Sequence, residues 1–443
     1  MESIPLAALT KPQINRSIVV IGTLFFVFGF VTWINAILIP YFKIACELTN
    51  FQSYLVAFAF YISYFVMSVP ASFLLKKVGF KNGMLLGFLA MATGAFVFLP
   101  AAYTRTYEIF LCGLFTIGTG LAILQSAANP YITLLGPKER AAQRISIMGI
   151  CNKGAGILAP FIFSFFLLRP EDSETIAHLA DLATSERKIF LDALVRRVML
   201  PYSCLGIVLI ALGALVKFSP LPEIDTDEGP LQTQQAGPEK KSIWQFPYLI
   251  LGAVAIFTHV GTHVIAIDTV IGYAGSMGIP LTKARPFPSF TLLATMIGYC
   301  TGIVLIPRFF SQLSIFRACT VLGTALSLGI LFAKADISLL GYQSDVSLWL
   351  VVLLGLANSL IWAGIWPLAL DNLGKFTKLG ASILIMGLCG QAIMPLIYGY
   401  LADAYDHRFA YVILLPCYAY LIFYAFKGYR IQSWKPVPIR TER

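Results

Sequence analysis

Twelve stretches of about 20 or more mostly apolar residues run through this chain, nearly all separated by short polar connections. About 20 apolar residues is the length that carries a helix across the ~30 Å hydrocarbon core of a bilayer. In lipid every backbone N–H and C=O must be satisfied within the segment or in a closed barrel. A chain with this pattern therefore folds as a bundle of membrane-crossing helices. Composition agrees, with 58% hydrophobic and 12% charged residues, against roughly 45–50% and ~25% in soluble domains. These figures exclude an ordinary soluble enzyme and a disordered protein.

The spans are expected at 18–42, 51–75, 83–103, 107–135, 143–168 and 198–217, then at 247–272, 286–308, 315–334, 347–370, 379–400 and 408–428. The first follows a polar-leaning N-terminus with no small-residue cleavage site after it, so it reads as an uncleaved span. Two connections are long. Residues 169–197 place Ile176, Leu179, Leu182 and Ala183 at helical spacing among charges, which predicts a short amphipathic surface helix. Residues 218–246 hold Pro220, Pro222, Pro230 and Pro238 and a Gln-rich run, the composition of a flexible linker. The expected organisation is an N-terminal six-helix bundle (1–217), a linker (218–246) and a C-terminal six-helix bundle with a tail (247–443).

Twenty of the 32 Lys and Arg fall on the side that holds both termini and eleven on the other, with Lys153 left inside a span. Positive residues stay cytoplasmic, so both termini are expected there. The net charge of +10 is thus a topology signal, and no nucleic-acid partner is expected. The eight cysteines show no CxxC spacing and sit mostly inside apolar runs, as small packing residues do. The halves repeat one another. Ile147–Cys151 (Ile-Met-Gly-Ile-Cys) recurs as Ile385–Cys389 (Ile-Met-Gly-Leu-Cys) at an offset of 238, and Pro130 and Gly136 match Pro367 and Gly374 at 237 and 238. Parallel repeats of this kind relate the halves of major facilitator transporters.

Polar groups at membrane depth are expensive and usually line a pathway. Lys153 lies about 10 residues into its span, roughly 15 Å deep at ~1.5 Å per residue. Gln125, Asn129, His259, Asn358 and Gln391 fall at comparable depths. The repeat maps Lys153 onto Gln391, Gln125 onto Trp362 and Asn129 onto Trp366. Amides, one cation and indoles around a cavity suit a sugar: hydroxyls take paired donors and acceptors, and ring faces take flat aromatics. Each Asn or Gln could equally make an interhelical hydrogen bond. His259 and His263 share a helix face, as an HxxxH metal pair does. With four His in the chain and no third nearby, no metal site, catalytic group or cofactor is expected. Asp268, five residues past His263, lies off that face, and carboxylates and imidazoles in a membrane cavity suit proton carriage.

At these residues the chain resembles a known family. The run Phe28–Pro40, including Trp33 and Asn35, resembles the first span of the fucose and glucose/galactose symporter group of the major facilitator superfamily. So do Gln125–Tyr131 (Gln-Ser-Ala-Ala-Asn-Pro-Tyr), Leu135-Gly136-Pro137 and the segment around Asn152. Leu75–Lys81 is a degenerate form of the superfamily's loop signature. The resemblance implies an all-α membrane protein of twelve helices in two pseudo-symmetric halves. It implies import of a monosaccharide or amino sugar by alternating access, coupled to protons or sodium, in a bacterial inner membrane. Trp33, Asn35, Gln125, Asn129, Asn152, Lys153, His259, Asn358, Trp362 and Gln391 are then the expected sugar contacts. Proton-coupled fucose transporters carry acids where this chain has Ala36 and Gln125, which leaves Asp268, His263 and Lys153 as candidates for ion coupling. A monomer in the bilayer is expected. The rival readings are a uniporter, an exporter of small hydrophobic compounds and an intramembrane metal enzyme built on His259, His263 and Asp268.

Overall fold

A computed structural model describes residues 11–134, 141–169, 171–179, 181–219, 242–306, 308–373 and 376–434. Among them, twelve helices are long and apolar enough to cross a membrane: Ser17–Ala45, Asn50–Ala71, Lys81–Thr104, Tyr107–Ala128, Ile147–Leu167, Thr184–Phe218, Pro247–Asp268, Leu281–Leu305, Gln312–Phe332, Val346–Leu370, Leu379–Ala404 and Phe409–Phe426. They are called the first to twelfth spans below. Most of the linker read from the sequence, 220–241, lies outside the described residues.

Local chemistry sets the ends. A capping box of Thr49 and Gln52 starts the second span. Gly79, at φ 78°, breaks the chain between the second and third. Asp345 caps the tenth by accepting from the Ser347 N–H. Before it, two short strands, β1 (Asp336–Leu339) and β2 (Tyr342–Asp345), form a hairpin whose Leu340 and Gly341 both have positive φ. That is the geometry of a tight two-residue turn.

Residues 169–197 correct the sequence reading. The stretch holds two helices, Asp172–Ala177 and Thr184–Arg196, and the second buries Leu191, Leu194 and Val195. Ile176, Leu179 and Leu182 are only half-buried and Ala183 is exposed. Asp172, at the start of the first, accepts from the Arg169 N–H and pairs with Arg197 just past the end of the second, which ties the two ends of the segment together.

Several spans are not continuous. The first is interrupted at Ile34, between helices Lys11–Trp33 and Asn35–Ala45. The tenth stops at Asn358 and restarts at Ile361. The eleventh passes through a 3-10 turn at Gly387–Cys389. In the tenth span Pro367 has no N–H, so the Ala363 carbonyl has no helical partner. Gln312 of the ninth span donates to that carbonyl instead. Such re-satisfaction by a neighbour is what lets proline sit in membrane helices.

Helices pack closest where a glycine removes the side chain. A Cβ on Gly29 would stand 2.0 Å from the Asn152 carbonyl oxygen, and one on Gly390 would stand 2.0 Å from that of Phe257. The halves meet between the first and seventh, second and eleventh, and fifth and eighth spans. On the side away from the chain ends, Asp403 accepts from the Asn50 N–H (2.9 Å), Asn50 Nδ2 (2.7 Å) and the Phe51 N–H (2.7 Å). Tyr54 meets Tyr398 edge-on at 5.6 Å, and Ser289 donates to the Ile157 carbonyl at 2.7 Å.

Candidate functional site

Trp33 ends the first helical segment, just before the interruption at Ile34, and is 5% exposed. Its Nε1 donates to Asn152 Oδ1 at 3.4 Å. The Asn152 amide in turn donates to the Phe25 carbonyl at 3.4 Å. The next residue, Lys153, holds its ammonium 4.2 Å from the Trp33 ring centre, within cation–π range. From the other half, His263 presents its ring edge-on to Trp33 at 5.6 Å, and His259 stacks on His263 at 6.1 Å. The first, fifth and seventh spans thus join at one polar centre.

Space around this centre is uneven. On the Lys153 face of the fifth span, a Cβ at Gly156 would meet the Trp33 ring at 2.3 Å and Leu292 at 3.0 Å. One turn in the other direction, a Cβ at Gly149 would meet nothing within 4 Å. Lys153 therefore lies between a tightly packed turn at Gly156 and an unpacked one at Gly149.

The remaining expected contacts divide into smaller groups. Asn35 is 1% exposed, and its side chain pairs with the buried Tyr61 hydroxyl of the second span. Asp268 is 1% exposed with both carboxylate oxygens unpaired, in electrostatic range of Tyr61 and Tyr54. His263 and Asp268, neighbours in sequence, so belong to different groups. Gln125 donates to the Tyr64 hydroxyl at 3.0 Å. Asn358 Oδ1 accepts from Thr262 at 3.0 Å, its amide donates to the Leu354 carbonyl, and its side chain also meets His259. Trp362 and Trp366 stack at 5.3 Å, both half-buried. Gln391, half-buried just after the 3-10 turn, makes no side-chain hydrogen bond among the described residues. The Asn129 side chain lies outside the described residues.

Tyr54, Tyr61 and Tyr64 carry no mark in the sequence, because a tyrosine in an apolar run looks like any core aromatic. Nor does the sequence mark a 690 Å³ surface cleft lined by Cys46, Glu47, Arg105, Lys188 and Asp192. Charges there are matched, Arg105 to Glu47 (3.4 Å) and Asp192 (3.3 Å), and Arg187 to Glu47. Burial pushes the Cys46 thiol up to about 11, so it is protonated at neutral pH. The cleft is a clasp between a surface helix and the loops beside it.

His259 Nδ1 and His263 Nε2 are also buried without partners. Buried polar atoms without partners thus occur on more than one span, and a buried polar group left unmatched is costly. Residues 21–387 match the model of the Major Facilitator Superfamily. The chain belongs to the Major Facilitator Superfamily. Among superfamily relatives, a glucose/galactose transporter of Brucella abortus is 32% identical over 96% of this chain and 97% of its own length. The L-fucose-proton symporter of Escherichia coli is 28% identical over 93% of this chain and 92% of its own. A crystal structure of the Escherichia coli fucose:proton symporter superposes with a TM-score of 0.68 at 27% identity, covering 96% of this chain and 100% of that one.

Proposed function

We propose that this protein imports a monosaccharide by alternating access, coupled to an ion. The observation that carries the reading is the centre formed by Trp33, Asn152, Lys153, His259 and His263. There two halves of a superfamily transporter meet at an interrupted helix, with buried nitrogens free for a ligand. The names of the relatives, glucose/galactose transporter and L-fucose-proton symporter, supply the substrate class. Trp33 offers an apolar face, and Asn152 and the histidines offer hydrogen bonds to hydroxyls. Asn35, Gln125 and Gln391 extend the contacts, with Trp362 beyond them. Asn358 orders the seventh span through Thr262.

For coupling we assign the proton to Asp268. It is a buried carboxylate without a partner, flanked by the tyrosines of the second span. Sodium is the alternative, and a uniporter is the reading if no gradient drives accumulation. Ala36 and Gln125 leave the family's two acidic positions neutral, so another carboxylate must serve. The protein works as a monomer in a bacterial inner membrane with both termini cytoplasmic. A cytoplasmic reporter fused after Arg443 should be active, and one inserted near Ser173 silent.

Counterflow and gradient-driven uptake of labelled hexoses in proteoliposomes test the proposal. Asp268→Asn should abolish accumulation in a pH gradient yet retain sugar exchange, because exchange needs only the loaded carrier to reorient. Accumulation by Asp268→Asn at the wild-type level removes Asp268 from coupling. Absence of uptake and exchange with every monosaccharide tested would sink the sugar reading.

A further inference from the structure

The charge balance at the centre narrows the cargo further, on the footing of the sugar reading above. Lys153 is 8% exposed, and no carboxylate lies within ion-pair distance of it among the described residues. Asp268, the buried acid of the seventh span, belongs to the tyrosine group. Asp172, the other buried acid, is committed to Arg197. What surrounds Lys153 is the Trp33 ring, His263 edge-on to that ring, His259 stacked behind it and the Asn152 amide next in the chain. Both imidazoles carry a buried nitrogen with no partner. The group is rich in hydrogen-bonding nitrogens and holds one buried amine with no acidic partner among the described residues.

A neutral hexose gives hydroxyls to the imidazoles and the amide but nothing to offset a desolvated ammonium. An amino sugar with a free ammonium adds a second cation. A single carboxylate balances the charge and completes a charge-assisted hydrogen bond, the strongest polar contact such a centre can make. We propose that the cargo is a monosaccharide bearing one carboxylate, of the hexuronate type, with Lys153 as its counter-ion. A sugar phosphate shares the anionic chemistry but brings about −1.5 to −2 charge to one ammonium.

Binding to the full-length protein in detergent tests this, with D-glucuronate and D-galacturonate compared against D-glucose, D-galactose and glucose 6-phosphate. Either hexuronate should bind about tenfold or more tighter than its parent hexose. Lys153→Gln should remove that preference, and Lys153→Arg should retain it, which separates charge from folding. Equal or tighter binding of the hexose overturns the proposal and leaves the sugar reading intact. So does tighter binding of the phosphate, or a preference that survives in Lys153→Gln. Failure of every sugar to bind overturns both.

Discussion

Asp403 offers the sharpest test of how the halves move. It stands at the end of the eleventh span and accepts three hydrogen bonds from Asn50 and Phe51, at the start of the second. Those N–H groups are free because the first turn of a helix has no internal acceptors. The carboxylate also meets the positive end of the helix dipole. Lys43 extends the chain by donating to Asn50 Oδ1 at 2.6 Å. Opening the molecule on this side must break all three bonds at once, whereas closing it on the other side leaves them intact. Asp403 and Phe51 are exposed, so each bond counts at the low end of ~0.5–1.5 kcal/mol. Together they favour the joined state by about 1–2 kcal/mol, a factor of roughly 5–30 in population. Asp403→Ala should shift the equilibrium by that factor. The reporter is Gly272→Cys in a background without native cysteines: its Cβ lies 3.7 Å from Tyr54 Oη and from the His407 ring, beneath the contact. A membrane-impermeant maleimide should label it about 5–30 times faster when Asp403 is alanine. An unchanged rate in a variant that folds and binds normally would show that the contact does not hold the halves together.

Two further predictions concern stability in detergent. Gln312→Ala orphans the Ala363 carbonyl and should cost roughly 1 kcal/mol; Pro367→Ala returns a backbone N–H, so the same change should cost much less in that background, and equal costs would refute the pairing. His407, between the last two spans, has its pKa pushed down to about 4, first by burial and then by Lys43, with Asp403 and Asp406 opposing. Its ring stays neutral in the folded chain, whereas the unfolded chain takes up a proton below about pH 6.5. This contribution is therefore present above pH 6.5 and lost as pH falls towards 4. His407→Gln should flatten the decline of the melting temperature across that window, and an unaltered slope would count against it.

The twelve spans were legible because the length of an apolar run and the thickness of a bilayer are the same physical quantity. Lys153 stood out as a candidate for a related reason: a charge at the middle of a run has no bland place to go. The groupings within the site were not legible. Which partners Asn358 meets, Thr262 and His259 here, depends on the rotation of two helices, which hydropathy does not encode. Asp403 read as a loop residue because its role lies in the N–H groups of a distant helix. The helix interruptions have only partial sequence marks: Gly387 and Gly390 flank the turn in the eleventh span, while nothing at Ile34 signals a break.

The internal repeat shows how the two halves came to differ in chemistry while keeping one geometry. The offset of 238 carries Asn152 onto Gly390. Asn152 takes the close approach of Gly29 from the first span, and Gly390 makes the close approach to Phe257 of the seventh. The contact is the same in both halves, but the glycine has changed helices. In the first half the fifth span keeps its side chains at that level and can present Asn152 and Lys153. In the second half the eleventh span surrenders that place, and the seventh supplies His259, His263 and Asp268 instead. Cation and indole thus come from one half, imidazoles and carboxylate from the other. A rocking motion between the halves changes the distance between those sets.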